Sequence, residues 1–205
     1  IMSVTEQTVS QTDTQEPDRF TKAQLDWHPW LEPLEESDLT DAHYEGLVDR
    51  ARAKSPYFRL LARDPHILGA RTRSDKDIFY NVAGGLPRRE RELAATAVSR
   101  FNGCIYCASV HARFSEHQGG SPQALATLLE TGQLPQDVDL RWQLVAEVAR
   151  RVSETPIGFS HVHVRVLRQA GFEDAEILDL INASSFFNWA NRLMLSLGYP
   201  TLPEK

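Results

Sequence analysis

The sequence predicts an all-α fold. Helix-capping pairs recur from about Asp41 onward, glycines fall just past apolar-periodic segments, and no stretch alternates polar and apolar residues convincingly enough for a half-buried strand. Of the 205 residues, 41% are hydrophobic and 24% charged, the balance of a folded chain with one sizeable core.

The first twenty residues are polar and rich in Thr and Gln. They offer little apolar surface to offset the entropy of ordering them, so residues 1–20 are expected to form a flexible tail. In FTKAQLDWHPWLEPLEESDLT, Pro29 and Pro33 forbid a continuous helix. An irregular arm is expected there, its Trp27 and Trp30 docking on this subunit, on a neighbour or on the chain's own core.

Helices are then expected over roughly 41–53, 56–63, 65–83, 88–101, 104–118, 122–131, 139–154, 160–170 and 174–197. Thr40 or Asp41 can cap the first, while Asp64–Pro65 and Ser121–Pro122 pair an N-cap with a proline at the first helical position. Asn102–Gly103 is the reversal that matters most, because a left-handed residue there lets one helix end and the next begin at once. Near the C-terminus Phe186, Phe187, Trp189, Leu193 and Leu197 form an apolar stripe suited to core or subunit packing. Residues 21–87 read as arm and leading helices, and 88–205 as the catalytic bundle. The join at Gly84–Pro87 is too short for a free linker, so the two form one unit.

A formal charge of -6 argues against generic affinity for nucleic acid or anionic membrane. The arginines at 88, 89 and 91 are interrupted by Glu90 and Glu92. No apolar export segment and no run of membrane-span length is visible, so a cytoplasmic protein is expected.

Both cysteines lie in one Cys-x-x-Cys, Cys104 and Cys107. In a reducing compartment that points to redox chemistry or metal binding rather than a structural bridge. On a helix beginning near Cys104, the two cysteines and His111 project from nearly one face. The unpaired N–H groups and positive dipole end of that helix should favour a thiolate, and His111 could accept its proton. If the chain reverses at Asn102–Gly103, Glu92 stands about 15 Å up one helix and His111 about 13 Å up the next. Glu92 is then level with His111 and can orient it. A zinc site would need a fourth ligand, and His117 is too far along to supply it. Simple packing of two small residues is the other alternative. His161 and His163, two residues apart on a helix, read as ordinary surface or interface residues.

These residues resemble the AhpD-like alkylhydroperoxidases of the carboxymuconolactone decarboxylase superfamily. That family's motif has a glutamate twelve residues before the first cysteine, a Cys-x-x-Cys, and a histidine four residues after the second; Glu92, Cys104, Cys107 and His111 match it. SPYFRLLARDPHILGARTRSDKDIFY looks like its peroxidase-related branch. The resemblance implies an AhpD-like helical bundle, trimers or hexamers, and reduction of hydroperoxides by the thiol pair; no cofactor and no metal are expected. It implies Cys107 as the peroxidatic and Cys104 as the resolving cysteine, with a lipoyl group or thioredoxin-like protein as external dithiol.

Tyr106 stands where well-studied members have a histidine, and with an unperturbed pKa of about 10 it is a poor base. Ser99 is a supporting candidate near the thiols, and a similar Asn/Arg segment in the family draws attention to Asn188, Asn191 and Arg192. Lactone-decarboxylating members lack such a cysteine pair, which disfavours that activity. The remaining alternatives are a redox-responsive binding or electron-transfer adaptor without peroxide turnover, and a small-acid or lactone enzyme on the same fold.

Overall fold

The structure is a computed structural model and describes residues 15–81 and 83–203. The flexible-tail expectation therefore lies, for residues 1–14, outside the described residues. From Gln15 onward the chain has defined contacts. The Gln15 carbonyl accepts from the Leu202 amide at 2.9 Å, Arg100 stacks 4.3 Å over the Phe20 ring, and Lys22 pairs with Glu116 at 2.7 Å.

Nine α-helices and a two-stranded ribbon make up the regular structure among the described residues. The leading helices are Asp41–Leu47 (α1), Pro56–Leu61 (α2) and Pro65–Tyr80 (α3). The bundle proper comprises Arg88–Asn102 (α4), Ile105–His117 (α5), Pro122–Thr131 (α6), Leu140–Ser153 (α7), His161–Gln169 (α8) and Asp174–Leu197 (α9). The fold is all-α, and no helix among the described residues is long and apolar enough to cross a membrane.

Capping explains most boundaries. Asp64 accepts from the Ile67 amide and Ser121 from the Ala124 amide, so both proline-bearing helices start where the sequence places them. The ring nitrogen of His163 accepts from the Ser160 amide at 3.0 Å, which makes it a helix cap. The helix expected over 41–53 is instead two pieces. The Asp49 carboxylate takes the Ala51 amide and diverts the chain into a 3₁₀ turn over Arg50–Lys54, after Val48 adopts a φ of 65°. The helix expected to 83 stops at Tyr80, where the Asn81 side chain accepts from the Ala83 amide.

The ribbon corrects the reading of the arm as wholly irregular. Asp26–Pro29 (β1) pairs antiparallel with Gly198–Thr201 (β2), with Trp27 opposite Pro200. Four-residue strands from opposite ends of the chain show no measurable alternation, and each exists only because the other is brought alongside. Trp27 docks edge-on against Tyr57 at 5.2 Å and is 8% exposed, whereas Trp30 remains 60% exposed. Gly198 permits the approach, since a Cβ there would stand 2.4 Å from the Trp27 ring.

Helix α4 occupies the centre and packs on α5, α7 and α9. Leu93, Ala94, Val98, Val145, Ala149, Leu180 and Ala183 are buried in the principal core, and Leu47, Ala53, Ala62 and Leu68 form a smaller one beneath α1 and α3. The loop joining α3 to α4 is fastened by Arg91. Its guanidinium donates to the Ile78, Asn81, Gly84 and Leu86 carbonyls and pairs with Asp179 at 3.1 Å. Asp179 in turn accepts from the Leu86 amide at 2.9 Å. Arg91→Ala strands those carbonyls and is expected to cost about 3 kcal/mol in urea unfolding, with faster amide exchange across 78–87.

Candidate active site

The reversal between α4 and α5 sets the geometry. Gly103 takes a left-handed φ of 83°, and the Ser99 carbonyl accepts from both the Gly103 amide and the Cys104 amide, the latter at 2.9 Å. Helix α5 therefore starts immediately, with Cys104 as its N-cap and Cys107 in its first turn. Both are free thiols and nearly inaccessible, at 1% and 6% exposure.

Further along the two helices, Glu92 Oε2 and His111 Nδ1 lie 2.6 Å apart, as counting residues from the turn anticipates. Glu92 is 1% exposed and its other oxygen accepts from Arg88 Nε at 3.2 Å. A carboxylate can only accept, so the Nδ1 proton belongs to the imidazole and Nε2 is left as its free acceptor. The ring is held by Phe187 at 4.1 Å and Phe79 at 5.5 Å.

Cys107, Tyr106, His111 and Glu92 share the lining of one cavity of about 270 Å³, whose apolar wall includes Phe79, Phe114 and Phe187. Cys104 is not in that lining. Ser99 is fully buried and its hydroxyl accepts from the Asn191 amide at 3.0 Å. Asn102 donates to the carbonyls of both Asn188 and Asn191, so an amide network ties the cysteine turn to α9. Arg192 is exposed and takes no part in that network.

The expectation of a thiolate at the helix start needs correcting for Cys107. The proton it shares with the facing Cys104 thiol, together with burial, pushes it well above the ordinary thiol range. The Asn191 amide and the positive charge of Arg71 pull the other way and do not win. Two sulfurs this close hold one negative charge far more easily than two. Burial also raises Tyr106, which keeps its phenol protonated and able to donate.

Sequence reasoning overlooked Arg52, Tyr57 and Arg71, which line the same cavity from the 3₁₀ turn, α2 and α3. Only the burial of Arg71, at 8% exposure, distinguishes it from any helical arginine, and periodicity gives no sign of that.

The carboxymuconolactone decarboxylase family model matches residues 65–151, a span that includes Glu92, both cysteines and His111. The chain superposes on the alkylhydroperoxidase AhpD core of a peroxidase-related protein from Ralstonia eutropha JMP134 with a TM-score of 0.70 and 21% identity, covering 82% of this chain and 90% of that one. The chain has the AhpD-like fold, and its residues 65–151 are similar to the carboxymuconolactone decarboxylase family. A peroxidase-related protein from Silicibacter sp. TM1040 shares the AhpD-like fold at a TM-score of 0.62 and 24% identity, over 95% of this chain and 96% of that one. The debrominase Bmp8 shares it at 0.66 and 14%, over 82% and 90% respectively. No curated protein matches the chain.

At this site the raised Cys107 pKa has a sign that can be checked. Alkylation of Cys107 should accelerate only as pH climbs past the ordinary thiol value of about 8.5, and Cys104→Ser should move that rise to lower pH. Because the folded protein keeps a proton that the unfolded chain releases, stability should fall as pH rises above the same point. Rates of iodoacetamide labelling against pH, read by mass spectrometry, measure the first effect and urea unfolding the second.

Proposed function

We propose that the protein is a thiol-dependent, peroxidase-like oxidoreductase that reduces hydroperoxides through a Cys104–Cys107 disulfide cycle. The single observation that carries this reading is the shared cavity: one sulfur of a close thiol pair opens on it beside an imidazole backed by a buried carboxylate.

In this reading His111 Nε2 takes the Cys107 proton, directly or through water, and Glu92 stabilises the imidazolium. The need for a base follows from the raised thiol pKa. The Cys107 sulfur forms a bond to the terminal peroxide oxygen as the O–O bond breaks, and the leaving alkoxide takes a proton from the imidazolium to become an alcohol. Tyr106 can donate to that leaving oxygen. Cys104 then attacks the sulfenic acid, an S–S bond forms and water departs. An external dithiol, a lipoyl group or a thioredoxin-like protein, supplies the two electrons that restore the pair. A homo-oligomer, trimer or hexamer, in the cytoplasm belongs to the same proposal.

The debrominase likeness and the aromatic wall favour one second reading, in which the thiol pair gives two electrons to a halogenated ring, halide leaves and the disulfide remains. Halide release without peroxide consumption would select it.

Stopped-flow peroxide consumption by the reduced protein tests the first reading. Cys107→Ser should reduce it to background, and residual consumption at the wild-type rate would sink the assignment. Cys104→Ser should complete one turnover and accumulate a sulfenic acid trappable by dimedone. His111→Ala should slow oxidation about 10²- to 10⁴-fold, as expected for loss of a general base.

A further inference from the structure

The cavity contains hydrogen-bond donors that the protein does not use. Arg71 is 8% exposed and Tyr57 5% exposed, and both line the cavity with Cys107. Arg71 Nε and Nη1 and the Tyr57 hydroxyl are buried without hydrogen-bond partners. The nearest carboxylate, Asp75, lies 3.9 Å from Arg71 Nη1, beyond hydrogen-bond reach, and is engaged by Arg52 at 3.3 Å. On its other sides Arg71 meets the rings of Phe58 and Phe186, at 5.5 Å and 5.4 Å.

Each buried donor left without an acceptor costs free energy, and the cost is greater on a buried guanidinium whose ion pair, with Asp75 at 3.9 Å, supplies no hydrogen bond. Three such donors gathered beside one reactive sulfur are worth keeping only if something else accepts from them. The acceptor must tolerate a planar cation and a phenol together, which is the preference of a carboxylate. Tyr57 remains a donor throughout, since burial pushes its pKa up to about 12 even with the charge of Arg71 nearby.

We propose that Tyr57 and Arg71 form a carboxylate subsite, so that the substrate is a small organic acid whose carboxylate binds there while its oxidised group meets Cys107. The aromatic side of the cavity, Phe79, Phe114 and Phe187, would hold the apolar body of the same molecule. Of the carboxylates lining the cavity, Asp75 is engaged by Arg52, and Glu92 by Arg88 and His111, which leaves Arg71 for an incoming anion. The substrate class rests on the peroxidase reading, whereas binding of the carboxylate does not.

The test uses the reduced full-length chain and calorimetric titration with a panel of three- to eight-carbon carboxylates, each paired with its alcohol, on wild type, Arg71→Met, Arg71→Lys and Tyr57→Phe. Wild type should bind at least one acid about tenfold or more tightly than its alcohol. Arg71→Met should abolish that preference, Arg71→Lys restore part of it, and Tyr57→Phe reduce it. Arg71→Met should also melt no lower than wild type, because it removes unsatisfied donors and leaves Asp75 with Arg52; an arginine kept for structure would give the opposite. Equal affinity for every acid and alcohol, as when water alone serves these donors, or a preference unchanged in Arg71→Met, overturns the subsite. With hydroperoxides, the ratio of kcat/KM for a carboxylate-bearing over a neutral one should fall about tenfold in Arg71→Met. Absence of any acid preference in wild type, with intact turnover of neutral peroxide, defeats this inference alone. Acid binding with no turnover defeats the peroxidase reading alone.

Discussion

Three consecutive charged side chains buried at the start of the central helix constrain everything around them. Glu90, Arg91 and Glu92 are 1%, 4% and 1% exposed, and successive helix positions point in different directions. Each must be met by a partner on a different neighbour. Glu90 is met by Arg141, which also pairs with Glu176 on α9; Arg91 gathers the carbonyls of the α3–α4 loop; Glu92 takes Arg88 and His111. Burial pushes the Glu90 carboxyl up, with Arg141 pulling against it, so its partner is structurally required. Such pairs add little net stability against apolar replacements, but an arrangement that mispairs them is heavily penalised. Helix order around α4 is thereby specified, and the His111 imidazole is positioned by the same device that positions the loop.

The reactive pair follows a related logic. A thiol at a helix start would ordinarily gain from the exposed amides, yet burial and a second sulfur outweigh that gain at Cys107. A protonated resting cysteine needs a base, and the buried Glu92 carboxylate gives His111 a fixed tautomer with Nε2 available. The amide network from Asn102 through Asn191 to Ser99 holds the turn beneath the sulfurs, so the C-terminal end of α4 and the second half of α9 act as one support.

Much of the site was legible because it is local. Glu92, Cys104, Cys107 and His111 fall within twenty residues on two helices joined by one tight turn, so spacing and helical rise were enough to bring the carboxylate and imidazole together. Asn191 was visible only as part of a suggestive segment. Its contact with Ser99 spans ninety-two positions, and no periodicity encodes that distance. Arg52, Tyr57 and Arg71 were invisible for the same reason: an arginine on an ordinary amphipathic helix announces its charge but not its burial.

Local rules also account for what the sequence settled by itself: the helical class, the bounds of the helices over 122–131 and 174–197, the reversal at Gly103 and the register of the thiol motif. Caps, prolines and left-handed residues act within a turn of their own position, and their energies do not depend on what lies across the molecule. Tertiary structure alone decided the β1–β2 ribbon, the protonated state of Cys107 and the unpaired donors beside it. Those depend on which distant groups share a desolvated space, a property of three-dimensional proximity that no short window of residues contains.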